Sequence, residues 1–252
     1  MEPISAVIIT LNEERNIARC LQSLQGIADE IVVVDSGSTD QTQKICLQHG
    51  ARLHQHTWEN YSAQKNYANT LASHPWILSI DADEALSNTL RESIIHLKTN
   101  GLKPNTLYSF NRLTNYCGHW IHHCGWYPDP CTRLFHKETA HWDGIIHETL
   151  QHPPNIQRQH LTGDLLHYSY HSVADHLQRM TRYAPLNAQK AYAENKRPTF
   201  AGILLRTAWT FARTYLLKRG ILDGTAGYTL CRMSALSTFL KYTILRELTK
   251  NT

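Results

Sequence analysis

The first hundred residues alternate short apolar runs with helix-length segments, and this alternation constrains the fold more than any other feature of the chain. The runs at residues 5–11, 30–35 and 76–80 read SAVIITL, EIVVVD and WILSI, and each is too short for a helix. Continuous β-branched runs of this kind are typical of strands that are covered on both faces, as in a parallel sheet. Strands and helices alternating with short links therefore predict a doubly wound α/β sheet.

Apolar residues at helical spacing predict helices between and after these runs, at residues 13–25, 42–48, 62–73 and 87–97, and a short strand is expected at residues 52–56. Ser87 is expected to cap the last of these helices. Residues 107–150 are rich in Tyr, Trp, His and Cys, and we expect strands and substrate loops there. The pattern becomes helical from about residue 172. The sequence thus predicts an α/β domain over residues 1–171 and a helical extension over residues 172–252.

Length and composition exclude several classes of protein. A chain of 252 residues that is 42% hydrophobic and 18% charged can bury a sizeable core, which excludes a disordered protein, a collagen-like repeat and a disulfide miniprotein. No apolar run approaches the ~18 residues that a membrane-spanning helix needs, and the opening residues have no signal-peptide pattern. The six cysteines are sparse for this length, so we expect free thiols in a reducing cytoplasm.

Charge is distributed unevenly along the chain. From Arg179 to the C-terminus there are 13 Lys and Arg residues and three acidic residues, whereas the first 178 residues carry 12 basic and 18 acidic ones. The basic part contains apolar helical stretches at residues 200–217 and 230–248, interrupted by Arg and Lys. One interpretation is that these helices pack on the α/β body, and the other is that they lie on an anionic membrane surface. The two are compatible, because different faces of a helix could do each. We expect a cytoplasmic protein that is peripheral on the inner face of the inner membrane.

Acidic residues coincide with the ends of two predicted strands. Asp35 ends the run at residues 30–35, and Asp81 and Asp83 follow the run at residues 76–80. In an open parallel sheet, ligands bind in the crevice beyond the carboxyl ends of the strands, and alternate residues of an extended segment share one face. Two carboxylates so placed would hold a divalent cation that grips a diphosphate. The competing interpretation is that these residues only cap loops and helices.

Three segments, in this order and spacing, resemble the family 2 glycosyltransferases: residues 8–14 (IITLNEE), 30–40 (EIVVVDSGSTD) and 81–83 (DAD). The resemblance implies the GT-A fold, a Rossmann-like and mostly parallel sheet flanked by helices, and sugar transfer with inversion at the anomeric carbon. Residues 144–148 (GIIHE) and 201–227 are similar to the lipopolysaccharide core β-1,4-glucosyltransferase group. The implied reaction moves a hexose, glucose from UDP-glucose, to a heptose of the lipopolysaccharide inner core.

The resemblance also implies a nucleotide-sugar site at the first strand ends. Thr10, Asn12 and Glu13 would line the nucleotide pocket. Asp35 would accept hydrogen bonds from the uracil or the ribose. Lys65 would lie near the base or the diphosphate, and its ammonium is a candidate partner for a phosphate on chemical grounds as well.

The Asp-x-Asp segment would hold both the ribose and the metal cofactor. Asp81 would contact the ribose, with Ala82 beside it in the nucleotide-sugar site. Asp83 would ligate Mg²⁺ or Mn²⁺, with Asp81 as a second ligand, and the cation would neutralise charge on the departing UDP. His147 and His167 are further candidates for the metal shell, although a structural role is favoured for each.

Inverting transfer also needs a base that takes the proton from the attacking acceptor hydroxyl. The family supplies a carboxylate from beyond the Asp-x-Asp motif, and the matching residue is Glu148. Asp143 is a competing candidate and Asp129 a weaker one. A helix N-terminal carboxylate with no catalytic role is the alternative for Glu148.

The segment from Cys117 to Cys131 contains three cysteines and three histidines, which raises the question of a zinc site. Its spacing lacks the paired ligands of structural zinc sites, so a sugar-acceptor loop is the favoured interpretation.

Several functions compete with glucosyl transfer to lipopolysaccharide. A related transferase for capsule, exopolysaccharide or another glycan is the first alternative. Nucleotidyl transfer is disfavoured because no Gly-rich basic phosphate loop lies near the N-terminus. A basic nucleic-acid-binding protein is also disfavoured, since no RNP-like, helix-turn-helix or zinc-finger pattern accompanies the charge.

Overall fold

A computed structural model describes residues 2–144 and 148–250, and the chain divides into two compact units. The first unit consists of residues 1–112 and 129–167, and the second of residues 113–128 and 168–252. The helical part predicted to begin at residue 172 thus starts close to where the second unit resumes. Residues 113–128, which the sequence analysis assigned to the α/β domain, group with the helices. The catalytic and membrane-facing roles expected of the two parts stay predictions.

A mixed β-sheet forms the centre of the first unit. The strands are β1 (Ile4–Thr10), β2 (Glu30–Asp35), β3 (Arg52–Gln55), β4 (Trp76–Asp81), β5 (Glu84–Leu86), β6 (Thr106–Tyr116), β7 (His119–Trp120), β8 (Pro130–His136), β9 (His141–Asp143), β10 (Thr149–Gln151) and β11 (Gln157–Tyr170). Within the described residues, the sheet order is β3-β2-β1-β4-β8-β6-β11-β5, with β7 beside β6, while β9 and β10 form a separate antiparallel pair. The strands from β3 to β4 in this order are parallel, and β8 runs antiparallel to both β4 and β6.

Helices flank the sheet and make up most of the second unit. They are α1 (Ile17–Leu24), α2 (Thr42–Gln48), α3 (Tyr61–Leu71), α4 (Asn88–Asn100), α5 (Val173–Ala193), α6 (Phe200–Ala212) and α7 (Gly224–Lys250), with a π-helical turn at Arg213–Leu217 and a 3₁₀ turn at Gly220–Asp223. The predicted α/β class with a helical C-terminal extension is confirmed. The predicted cap is confirmed as well, because Ser87 Oγ accepts a hydrogen bond of 3.2 Å from the Leu90 N–H.

The first helix begins later than the sequence indicates. It was expected from residue 13, but α1 starts at Ile17. The backbone N–H groups of Glu13 and Glu14 donate to side chains of the loop after β2, Thr42 Oγ1 at 2.8 Å and Asp40 Oδ2 at 3.2 Å. Residues 13–16 therefore form a turn that is fixed by a neighbouring loop, which helical periodicity alone does not reveal.

Every residue of β1 is buried, because apolar clusters cover both faces of the sheet. Ile4 and Ile8 belong to one cluster, together with α1 and α4 residues, whereas Val7 and Ile9 belong to another. Successive strand residues point to opposite faces, so this division places a core on each side. The uninterrupted apolar run at residues 5–11 is explained by this double coverage.

The second unit is held together by a buried carboxylate as well as by apolar contacts. Asp223, only 5% exposed in its side chain, accepts hydrogen bonds from the N–H groups of His122 and His123 and from His123 Nδ1. Cys124 and Cys231 lie beside it, with their sulfur atoms 3.6 Å apart. These contacts join residues 113–128 to the last two helical segments, which is why that stretch groups with them. All six cysteines are free thiols.

No helix in the described part of the chain is long and apolar enough to cross a membrane.

Candidate active site

The carboxyl ends of β1, β2 and β4 meet at one edge of the sheet, as predicted. Because β1 lies between the other two and runs parallel to both, its register pairs Thr10 with Asp35 and Ile9 with Asp81. This brings three of the predicted site residues to neighbouring strand ends. Thr10 Oγ1 is buried there and makes no hydrogen bond to any described residue.

Two loops at this edge are joined by reciprocal hydrogen bonds. The Asn12 N–H donates to Ser38 Oγ at 2.8 Å, and Asn12 Oδ1 accepts from the Thr39 N–H at 2.8 Å. Asn12 has a φ of +54°, a left-handed conformation in which Asn is enriched. The side chain of Glu13 accepts from Asn16 Nδ2 at 2.8 Å. Asn12 and Glu13 thus shape the loops in the structure, and their contact with a nucleotide stays a prediction.

Asp35 is fully buried and holds the loop that follows β2. Its Oδ2 accepts from the N–H groups of Gly37 at 3.0 Å and Ser38 at 2.8 Å, and from Gln43 Nε2 at 2.8 Å. Ser38 Oγ donates to Oδ1. These donors offset the cost of burying a charge. Hydrogen bonds from uracil or ribose to Asp35 stay a prediction and would have to share or replace these partners.

Asp81 lies between two buried cations. Its Oδ1 is 2.9 Å from Lys65 Nζ, and its Oδ2 is 2.7 Å from Arg133 Nη2. Burial by itself would raise the pKa of the Asp81 carboxyl, but Arg133 and Lys65 together hold that pKa far below its ordinary value. Asp81 is therefore ionised and fixed in position, with its side chain still 29% exposed toward the edge of the sheet.

Arg133 and Glu84 complete this network, and the sequence analysis assigned neither of them a role. Arg133 Nη2 contacts Glu84 Oε1 at 2.9 Å, and Glu84 Oε2 accepts from the Asp81 N–H at 2.9 Å. The Glu84 side chain is fully buried, and burial raises the pKa of its carboxyl although Arg133 opposes the shift. An Arg inside the apolar strand β8 was the available signal, since a cation there needs a buried anion from another strand.

Glu148, the predicted base, contacts the other side of Lys65. Its Oε1 is 2.9 Å from Lys65 Nζ, and its side chain is 23% exposed. Lys65 Nζ also lies 4.8 Å from the centre of the Trp142 ring, a cation–π arrangement. Asn66 fixes Trp142 from the same helix, with Nδ2 donating to the Trp142 carbonyl at 2.7 Å and Oδ1 accepting from the Trp142 N–H at 2.9 Å. Helix α3 thereby ties β9 to the strand-end carboxylates.

Asp83 contacts a histidine, whereas Asp81 contacts Lys65 and Arg133. Asp83 Oδ2 is 3.2 Å from His167 Nε2, and both side chains are less than 20% exposed. Burial would lower the pKa of the His167 imidazole, but the hydrogen bond and the charge of Asp83 raise it. Ala82 between the two aspartates is buried in the apolar core.

The Asp83 carboxylate fits a divalent cation that takes its remaining ligands from a diphosphate, and His167 could join it only as a neutral imidazole that gives up its hydrogen bond to Asp83. Within residues 2–144 and 148–250, no group of three or more His, Cys, Asp or Glu side chains is arranged to hold a metal alone. Mg²⁺ sites commonly have one or two protein carboxylates plus substrate phosphates. Asp81 is a poorer ligand than Asp83 here because two cations already occupy its oxygens. His147 lies outside the described residues.

A cavity of about 510 Å³ opens between β6, β8 and the β9–β10 pair, and Glu148 lines it together with Arg112, Arg133 and Trp142. The two competing base candidates have other surroundings. Asp143 is exposed, and its Oδ1 accepts from the Gly144 N–H at 2.8 Å. Asp129 pairs with Arg112 Nη2 at 2.8 Å. The base assignment stays a prediction, and of the three carboxylates only Glu148 is described both in the cavity wall and in the Lys65 network.

Comparison with known protein families also covers this edge of the sheet. A family model described as glycosyl transferase family 2 matches residues 5–146, which is more than half of the chain and includes the edge formed by β1, β2 and β4. The chain belongs to glycosyl transferase family 2. An uncharacterized glycosyltransferase of Rickettsia bellii is 30% identical over 97% of this chain and 86% of its own length.

One similar protein carries a functional description. The lipopolysaccharide core biosynthesis glycosyltransferase LpsC of Rhizobium meliloti is 29% identical to this family 2 chain over 94% of it, and over 90% of the relative. Among solved structures, glucosyl-3-phosphoglycerate synthase of Mycobacterium tuberculosis with Mn²⁺, UDP and glucosyl-3-phosphoglycerate is similar, with 22% identity and a TM-score of 0.37. That match spans 45% of this chain and 44% of the synthase.

Proposed function

We propose that this family 2 enzyme transfers a hexose, glucose from UDP-glucose, to a heptose of the lipopolysaccharide inner core with inversion at the anomeric carbon. The observation that carries the proposal is the placement of Asp35 and Asp81 at the carboxyl ends of β2 and β4, with Asp83 two residues beyond Asp81, where open α/β sheets bind their ligands. The similarity to a lipopolysaccharide core biosynthesis glycosyltransferase over nearly the whole chain supports the acceptor class.

The donor would lie along the strand ends. Thr10, Asn12 and Glu13 would contact the nucleotide, and the unpartnered Thr10 hydroxyl is a group that such a ligand would satisfy. Asp83 and His167 would hold Mg²⁺ or Mn²⁺, which when bound stabilises negative charge on the departing UDP. Lys65 and Arg133 keep Asp81 ionised and fixed in position, so the carboxylate that would contact the ribose is in place before substrate arrives.

Glu148 would act as the base. One of its oxygens is already bound to Lys65, so the other would take the proton from the acceptor hydroxyl as that oxygen attacks the anomeric carbon. The acceptor sugar would occupy the cavity that Glu148 lines.

The proposal is tested by transfer of glucose from UDP-glucose to inner-core lipopolysaccharide from a strain that lacks this sugar. Asp83→Asn is expected to lower kcat by at least ~100-fold, the scale of a lost electrostatic stabiliser at a reacting centre. Asp164→Asn on β11 is the matched control, because this carboxylate lies outside the strand-end cluster. Full activity of Asp83→Asn would contradict the metal assignment. Transfer only to a capsule or exopolysaccharide acceptor would contradict the acceptor assignment.

A further inference from the structure

Helix α6 presents an apolar face that is largely exposed. Ile203, 1% exposed, marks the side that packs into the second unit. At a helical rotation of 100° per residue, Leu205, Trp209 and Leu216 lie on one stripe across the helix from Ile203, although Leu216 falls in the π-helical turn. These three side chains are 71%, 58% and 60% exposed. An amphipathic helix normally buries such a stripe, so this face is built for contact with something else.

The apolar surface continues past the end of the helix. Leu217 is 67% exposed, and in the 3₁₀ turn Ile221 and Leu222 are 52% and 64% exposed. Leu204 on α6 adds a further half-exposed side chain at 48%. Single exposed apolar residues are normal on a protein surface. This short segment differs, because several of its large aliphatic side chains are more than half exposed together.

Cations accompany this surface and anions are absent from it. Residues 195–222 contain no Asp or Glu, and they contain six basic residues: Lys196, Arg197, Arg206, Arg213, Lys218 and Arg219. Arg206 and Arg213 fall along one edge of the apolar stripe, and Lys218 and Arg219 follow Leu217 directly. The first acidic residue, Asp223, is buried and bound to backbone N–H groups.

We propose that residues 200–222 form a docking surface for an anionic lipid bilayer, with α6 lying in the plane of the interface. Leu205, Trp209 and Leu216 would enter the boundary between headgroups and acyl chains, while the flanking Arg and Lys side chains contact anionic headgroups. The positive charge of this surface favours a bilayer over a second copy of the chain as its partner. Two copies of this surface would bring four cations against four, which disfavours a symmetric dimer, whereas an anionic bilayer complements both the apolar stripe and the charge.

The experiment is flotation of the full chain with phosphatidylcholine vesicles that contain or lack phosphatidylglycerol, at low and high salt. The wild-type protein is expected to float with anionic vesicles, and less with neutral vesicles or at high salt. Leu205→Glu is expected to weaken binding by at least about ten-fold, since it removes a leucine that would enter the bilayer and adds a charge of the same sign as the headgroups. Arg206→Gln with Arg213→Gln should weaken it by about five-fold per residue on anionic vesicles only.

Leu47→Glu is the matched control, because Leu47 on α2 in the first unit is similarly exposed at 62% but has no role in the docking surface. It should float like the wild type. Circular dichroism of each variant separates lost binding from lost folding. Absence of wild-type binding to anionic vesicles at low salt would overturn the proposal, as would equal losses for Leu205→Glu and Leu47→Glu. A concentration-dependent dimer that Leu205→Glu dissociates, without vesicle binding, would assign the surface to a second copy instead. Because vesicle binding needs no sugar donor, its failure would leave the proposed transfer reaction untouched.

Discussion

Replacing Arg133 by Met is expected to destabilise the protein by about 3 kcal/mol or more, because it strands a buried carboxylate. Arg133 is 6% exposed and bridges Asp81 and Glu84 at 2.7 and 2.9 Å. Asp81 would keep Lys65 as a partner at 2.9 Å. Glu84 would keep only the Asp81 N–H and the more distant Arg112 guanidinium at 3.8 Å. Removing one partner of a buried pair costs about 3–5 kcal/mol, and the remaining contact of Asp81 places the loss at the lower end.

The assay is urea unfolding, in which the midpoint should fall while the slope stays constant. Arg158→Met is the matched control: Arg158 lies exposed on β11 with only His152 as a described partner, so its loss should stay within about 0.5 kcal/mol. Adding Glu84→Gln to Arg133→Met removes the stranded charge and should recover part of the stability. A cost for Arg133→Met no larger than that of Arg158→Met, or no recovery in the double variant, would refute the buried network.

Three further predictions concern an ion pair at the start of β2, a glycine in β11 and the base. Glu30→Gln should destabilise the protein by about 1.5 kcal/mol at pH 7, the scale of a lost hydrogen bond to a charged group: burial would raise the Glu30 pKa, but hydrogen bonds from Ser5, Ser73 and Arg52 lower it to about 2. A lowered carboxyl pKa stabilises the fold fully above the unfolded pKa and progressively less as the pH falls toward the folded pKa. The deficit of the variant should therefore shrink as the pH falls from 4.5 toward 2, measured by urea unfolding across that range. Gly163→Ala should cost more than ~2 kcal/mol in the same assay, since Gly163 has φ +101° and an added Cβ would lie 2.3 Å from the Leu90 nitrogen. Glu148→Gln should lower kcat for glucosyl transfer by at least ~100-fold while Asp143→Asn leaves it within a few-fold, and the reverse order would exchange the two assignments.

Much of the sheet followed from the sequence because its strands are buried on both faces. The run at residues 30–35 coincides with β2, and residues 42–48 coincide with α2, since continuous apolar strands and amphipathic helices carry strong local patterns. The predicted start of α1 was wrong because Thr42 and Asp40, nearly thirty residues away, accept hydrogen bonds from the backbone of Glu13 and Glu14 and hold this segment in a turn. Local periodicity carries no information about such a partner.

Some features of the candidate site could likewise be predicted from the sequence, and others could not. The strand-end positions of Asp35 and Asp81 were predictable, because parallel strands align their carboxyl ends. The contact of Asp81 with Arg133 was not predictable. Arg133 lies 52 residues further along the chain and reaches Asp81 only because β8 pairs with β4 in the antiparallel direction. The pairing of Lys65 with Glu148, 83 residues apart, likewise depends on how β9 and β10 fold back to α3. Long-range ion pairs of this kind require the topology.

The central claim is that the carboxylates at the β1, β2 and β4 edge form a metal-dependent sugar-nucleotide site. The most direct measurement is UDP release from UDP-glucose, UDP-galactose and UDP-GlcNAc, each with Mn²⁺ or Mg²⁺ and with EDTA. The account predicts release that requires the metal, favours UDP-glucose and is lost in Asp83→Asn. The absence of UDP release from all three donors, with or without metal, would contradict this role and would mean that these carboxylates only hold the fold together.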